Sequence, residues 1–160
     1  MIDLQEIHLL FCRYGLTLAV AESCTAGLLA GRIADQPGCS GWFRGGVVAY
    51  HNDVKQRLLQ VPGELFEQHG AVSEPVARAM AAGVRVTCQA DLGLAITGVA
   101  GPDGGTADKP VGTVYLALAD CDGSEAIRCR FDGDRTSVRQ QSVEQALLML
   151  KVRLIASEMA

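Results

Sequence analysis

The sequence of 160 residues has no run of about 20 apolar residues, the length needed to cross a bilayer. Its longest candidate, residues 16–34, is interrupted by Glu22, Ser23 and Arg32. The start, MIDLQEI, lacks a basic segment followed by an apolar one, so no secretory signal is expected. Asp3 and Glu6 read instead as a capping box that opens a helix. The six cysteines (Cys12, Cys24, Cys39, Cys88, Cys121 and Cys129) form no CxxC pair and have no histidine cluster beside them. That argues against a zinc site, and the thiols are expected to be reduced and mostly buried. Nor is there an excess of positive charge. A net charge of −4 argues against general nucleic-acid binding, which depends on neutralising phosphates, but it leaves room for a small phosphorylated ligand held by a few local donors. No membrane or nucleic-acid partner is expected, and the expected location is cytoplasmic. With no internal repeat, low-complexity tract or linker, residues 1–160 read as one domain.

About half of the residues are apolar and a fifth are charged, as in globular proteins with a single core. Ile7, Leu10 and Phe11 have helical spacing within residues 3–14, and Gly15 supplies a stop. LTLAVA is a short buried strand. TAGLLAGRIA is a helix with Gly27 and Gly31 on one face, suggesting close approach to a sheet or a ligand. GCSGWFRGG reads as a loop leading into the strand GVVAY. Its Trp42 and Phe43 suit an interface, a pocket mouth or the core. Asn52 or Asp53 is expected to cap the helix VKQRLLQV, and PGELFEQHG gives a further helical turn or two. Ser73 and Pro75 start a helix running to about Gln89, with Val76, Met80 and Val84 inward. DLGLAITGVAG is a strand ending in a glycine-rich loop. VGTVYLALA and EAIRCRF are strands joined by a hairpin at Asp122-Gly123. A long helix from Asp134 to about Glu158 closes the chain. The order predicts an α/β fold: a three-layer α/β/α sandwich with a largely parallel mixed sheet and an antiparallel edge hairpin.

In such sheets ligands bind beyond the C-terminal ends of the strands. Three polar clusters are expected there: Glu22 to Thr25, Tyr50 to Lys55, and Thr97 to Gly105. Ser23 is either a helix cap or a nucleophile. Thr25 is an equally good cap, which would free the Ser23 hydroxyl, and the backbone amides of Cys24 and Thr25 would form an oxyanion hole at the helix start. A serine nucleophile needs a base. His8 and His69 fall in surface helical settings, and His51 would point away from Tyr50 along a strand. Lys55 is the alternative: at a helix start and partly buried, its amine is expected to lose its charge more readily. Tyr50 would pass the proton or hold the lysine. The loop from Thr97 through Gly98 and Gly101 can surround an anion with amides. Asp103 is expected to face away from a phosphate or to hold the loop, and Lys109 to be solvated. Arg135 and Arg139, four apart, either pair with surface acids or reach a phosphate, and spacing does not choose between them.

The segments AESCTAGLLAGRIA, GGVVAYHNDVKQRLLQV, GAVSEPVARAMA and AITGVAGPDGGTADKPVGTVYLA together resemble the CinA C-terminal domain family, in that order and across most of the chain. That family includes stand-alone nicotinamide-nucleotide amidohydrolases. The resemblance implies hydrolysis of the carboxamide of nicotinamide mononucleotide to nicotinate mononucleotide and ammonia, without a metal or cofactor. It implies Ser23 as nucleophile, Lys55 as base, Tyr50 as assistant, Thr97 as a substrate contact and one of the two arginines in binding. Homo-oligomers, dimers first, are also implied. Many members read ESCTGG where this chain has Ala26, a small change expected inside a helix start. Longer members carry an additional N-terminal domain outside this resemblance. The alternatives are a nucleotide-binding module without catalysis and an amidase for another small amide.

Overall fold

The computed structural model describes residues 1–157. A five-stranded sheet runs in the order β2-β1-β3-β4-β5. Its strands are β1 (Leu18–Glu22), β2 (Phe43–Val48), β3 (Leu92–Gly98), β4 (Thr113–Ala119) and β5 (Ser124–Arg130). β1 pairs in parallel with both β2 and β3, whereas β3-β4 and β4-β5 are antiparallel. The expected α/β sandwich is therefore present, with its mixed sheet divided evenly between the two kinds of pairing. β1 is buried at every residue, as a central strand covered on both faces must be.

Side-chain size differs sharply between the two faces. Leu18 and Val20, Leu92, Leu94 and Ile96, and Val114, Leu116 and Leu118 form a thick apolar layer. Packed on it are α1 (Leu4–Tyr14), α2 (Leu28–Ala34) and α6 (Arg135–Ala156). Ala19, Ala21, Ala95, Ala117 and Ala119 line the opposite face, under α5 (Glu74–Thr87) and the end of α3 (Asn52–Leu59). These small residues let α5 settle very close to the strands. A Cβ added at Gly93 would lie 2.0 Å from the Ala81 carbonyl oxygen. Val76, Met80 and Val84 of α5 are buried, as their spacing predicts. A short α4 (Gly63–His69) packs beside them through Leu65 and Phe66. No helix among the described residues is long and apolar enough to cross a membrane.

Several local expectations are corrected. Asp3 caps α1 by accepting from the Gln5 amide at 2.9 Å, but Glu6 turns to the Lys151 ammonium, so the capping box is only half made. β2 begins at Phe43 and ends at Val48, so Tyr50 lies past the strand. Trp42 belongs to the core: it stacks on Phe11 at 4.4 Å between centroids and donates from Nε1 to His8 Nδ1 at 3.0 Å. His8 is thus half-buried packing and not a surface group. The cap of α3 is the His51 ring, which accepts from the Asp53 amide at 3.4 Å; Asn52 and Asp53 lie within the helix. Helix α2 starts at Leu28, later than expected, and Gly27 is its cap position. Gly31 faces open space, so the two glycines do not mark a close approach. Among the cysteines, all free, Cys24 alone is fully buried; Cys12 and Cys121 are exposed. α6 ends at Ala156, and Glu158 lies outside the described residues.

Candidate active site

β1 and β3 are parallel neighbours, so their C-terminal ends, Glu22 and Gly98, emerge on the same edge of the sheet. Ser23 follows one and the glycine-rich loop follows the other. Between them lies a cleft of about 260 Å³. Its walls include Ser23, Cys24, Tyr50, Lys55, Thr97, Gly98, Gly101, Asp103 and Arg135. Thr25 and Arg139 do not line it. A larger cavity of about 640 Å³ lies elsewhere, between α2 and α6, and holds the Arg32 and Glu144 ion pair but no nucleophile.

Ser23 is buried at the foot of the cleft, and its amide donates to the Ile96 carbonyl at 3.0 Å, a last rung of the β1-β3 ladder. Its hydroxyl makes no hydrogen bond among the described residues. It does not cap α2, and neither does Thr25, whose hydroxyl is buried without a partner. The cap comes from an unexpected source. The buried carboxylate of Glu22, at the end of β1, reaches forward along the chain. It accepts from the amides of Gly27 at 3.1 Å, Leu29 at 3.0 Å and Ala30 at 2.8 Å. These are the orphan donors of a helix start, and the negative charge complements the helix field. The N-terminus of α2 is therefore occupied by the protein's own carboxylate and is not open to a ligand. The sequence hid this cap, because Ser23 and Thr25 stand nearer the helix as conventional capping residues.

The turn from Ser23 to Gly27 is closed by the Ala26 amide donating to the Ser23 carbonyl at 3.1 Å. Ala26 has φ of +48°, in the left-handed region, so the change from glycine falls in a strained turn and not in a helix start. Arg139 holds this turn from the α6 side, donating to the carbonyls of Cys24 at 3.0 Å and Thr25 at 2.9 Å. A trans peptide directs its N–H opposite to its C=O. The grip on the Cys24 carbonyl thus turns the Thr25 amide away from α6. The amide of Thr25 has no acceptor among the described residues, and that of Cys24 faces only its own thiol.

Lys55, in the first turn of α3, is 1 % exposed and makes no ion pair among the described residues. Its Nζ donates to the carbonyl of Tyr50 at 3.1 Å. Burial lowers its pKa from the ordinary 10.5, opposed by the nearby Cys24 thiol. Burial likewise pushes Cys24 up to about 11, so that thiol is neutral at physiological pH. It is the Tyr50 carbonyl, and not its hydroxyl, that holds the lysine. The hydroxyl accepts from Arg135 Nη2 at 2.9 Å, and Arg135 Nη1 donates to the Gly101 carbonyl at 2.7 Å. Arg135 thus bridges the exposed Tyr50 ring and the glycine-rich loop across the cleft. The two arginines left open by their spacing are separated by the structure: Arg135 faces the cleft and Arg139 braces the turn behind Ser23. Thr97, in the lining of the cleft, donates its hydroxyl to the Ala71 carbonyl at 2.9 Å, so its oxygen is left to act only as an acceptor. His51 is exposed and outside the lining. Lys109 reaches the His69 carbonyl. Asp103 is exposed and belongs to the lining of the cleft, with no partner among the described residues.

Comparison with known proteins supports the same relationship. The CinA C-terminal domain family matches residues 4–154. A CinA-like protein of Geobacter sulfurreducens is 54% identical over 92% of this chain and 36% of its own length. A putative competence-damage inducible protein of Desulforudis audaxviator is 54% identical over 89% of this chain and 34% of its own. The chain thus spans about a third of the length of these curated relatives. Among solved structures, the competence-damaged protein (CinA) superfamily protein of Klebsiella pneumoniae 700603 superposes with a TM-score of 0.92 at 35% identity, covering 96% of both chains. The competence/damage inducible protein CihA of Agrobacterium tumefaciens gives 0.90 at 40% identity, covering 94% of this chain and 92% of its own. This chain belongs to the CinA C-terminal domain family.

Proposed function

We propose that the protein is a serine amidohydrolase that converts nicotinamide mononucleotide to nicotinate mononucleotide and ammonia. The observation that carries this reading is Lys55: a buried lysine that, among the described residues, has no carboxylate beside it and opens on the same cleft as a serine hydroxyl without a hydrogen bond. Burial favours the neutral amine. One of its N–H bonds is spent on the Tyr50 carbonyl, and its lone pair remains to accept a proton.

Ser23 Oγ attacks the carboxamide carbon as its proton passes to Lys55 Nζ. The developing oxyanion takes the backbone amide of Cys24, which lines the cleft beside Ser23, while the Arg139 brace holds the turn that presents it. When the C–N bond breaks, Lys55 returns the proton to the departing nitrogen, which leaves as ammonia. Water then gives a proton to Lys55 and attacks the acyl carbon. The ester C–O bond breaks, Lys55 returns its proton to Ser23, and the acid formed gives its own proton to solvent and leaves as the carboxylate. Arg135, at the cleft mouth, supplies a planar pair of donors for the phosphate, exchanging its bonds to Tyr50 and Gly101 for the ligand. Thr97 contributes an acceptor.

The test is ammonia release from the mononucleotide by the purified chain, compared with Ser23→Ala and Lys55→Met. Turnover by the parent and loss in both variants is the expected result. Ser23→Ala turning over at the parent rate overturns the mechanism. Mononucleotide binding with no ammonia formed over hours identifies a binding module instead.

A further inference from the structure

Asp103 is out of place in a cleft that binds only a phosphate. Of the ionisable side chains that could carry full charge there, Asp103 is the acid and Arg135 the base; Lys55 is driven toward neutrality by burial. Asp103 has neither an ion pair nor a hydrogen bond among the described residues. Its loop packs closely on Val111 at either side of it. Gly101, at φ +83°, packs so tightly that an added Cβ would lie 2.5 Å from Val111 Cγ1. One at Gly105 would lie 2.8 Å from the Val111 amide nitrogen. Arg135 is bonded to the Gly101 carbonyl, two residues from Asp103, so before a ligand binds the positive and negative groups stand on neighbouring parts of the cleft lining.

A cleft lined by one guanidinium and one carboxylate unpaired among the described residues is complementary to a zwitterionic ligand. Nicotinamide joined to ribose through its ring nitrogen is such a ligand: the pyridinium ring is cationic and the phosphate anionic. We propose that Asp103 is a specificity-determining residue that recognises the positive charge of an N-substituted pyridinium ring, while Arg135 takes the phosphate. This rests on the amidohydrolase reading above and adds the form of substrate that the site selects. Free nicotinamide, uncharged at neutral pH, gains nothing from Asp103. The reduced 1,4-dihydro mononucleotide keeps the carboxamide, ribose and phosphate but has an uncharged ring, so it isolates the charge from everything else.

The experiment compares KM for the oxidised and reduced mononucleotides with the parent chain and Asp103→Asn, in mildly alkaline buffer. A solvent-facing charge pair at contact is worth about 1 kcal/mol, or about fivefold. The expected result is a roughly fivefold rise in KM for the oxidised form in Asp103→Asn, with kcat little changed and no rise for the reduced form. An equal rise for both forms overturns the proposal, because the carboxylate then serves the ribose hydroxyls; so does no change for either. If the parent releases no ammonia, the amidohydrolase reading fails on its own. Calorimetric binding of the same two compounds then decides: a preference for the oxidised form that Asp103→Asn abolishes sustains the cation subsite, and equal binding to parent and variant overturns it.

Discussion

Lys55 Nζ lies 3.1 Å from the carbonyl oxygen of Tyr50, and no carboxylate among the described residues balances its charge. A lysine so placed costs stability in order to be reactive. In the unfolded chain it titrates at its ordinary 10.5; in the fold, burial lowers that value. Above 10.5 both states carry a neutral amine and there is no penalty. As pH falls below 10.5, the unfolded state takes up the proton first, and the fold is penalised until pH passes the lowered native value, where the loss is complete. Lys55→Met is therefore expected to raise the melting temperature at neutral pH, with the advantage shrinking toward pH 10.5. Thermal melts of both proteins across that window check this. Under the proposed reaction the same variant loses about 10²- to 10⁴-fold in turnover, and parent activity rises with pH through the lowered Lys55 pKa to a plateau.

Glu22 is the second costly group next to Ser23, but its charge is fully used. Its carboxylate takes three amide donors of α2. Glu22→Gln keeps the volume but can place an N–H₂ group against the Ala30 or the Gly27 and Leu29 amides, leaving buried donors unpaired. A loss of about 2–3 kcal/mol is expected in chemical denaturation. Faster amide hydrogen exchange confined to residues 23–30 would locate the damage at the turn and the start of α2.

The parts of the fold that follow from local physics were legible in the sequence. LTLAVA and LGLAITG read as strands because a strand covered on both faces is a continuous apolar run. Asp122-Gly123 announced its hairpin, and Val76, Met80 and Val84 announced the buried face of α5. The gathering of Ser23, Tyr50, Lys55 and the Thr97 loop at one cleft followed from their places just beyond strand ends. The start of α2 was not legible, because its cap is a glutamate on the preceding strand and not a serine or threonine just before the helix. The two arginines were not separable, because residues four apart share a helix face; only the bonds of Arg139 to the Cys24 and Thr25 carbonyls assign it to the turn.

Ala26 sits at φ +48°, where an L side chain is strained and glycine is not. Its side chain is exposed, so little packing is lost on removing the methyl group. Ala26→Gly is expected to stabilise the fold by about 0.5–1 kcal/mol, the strain relieved exceeding the entropy given to the unfolded chain. Ala26→Val, β-branched in the same conformation, is expected to destabilise it by more than that. Denaturant midpoints for the pair check both signs, and equal midpoints for parent and glycine variant would mean the turn relaxes without strain.

Gly93 and Gly31 make opposite predictions from the same substitution. At Gly93 an added Cβ meets backbone, the Ala81 carbonyl oxygen at 2.0 Å, so α5 has to lift from the sheet. At Gly31, within α2, the same methyl group meets nothing within 4 Å. Gly93→Ala is expected to cost about 3 kcal/mol through overpacking. Gly31→Ala is expected to gain about 0.5–1 kcal/mol from helix propensity alone. Both are read from chemical denaturation under identical conditions. The contrast tests whether the alanine-rich face of the sheet is the surface on which α5 must lie close: a tolerated Gly93→Ala would show that the helix can retreat without loss, and that the small side chains beneath it are not what sets its height.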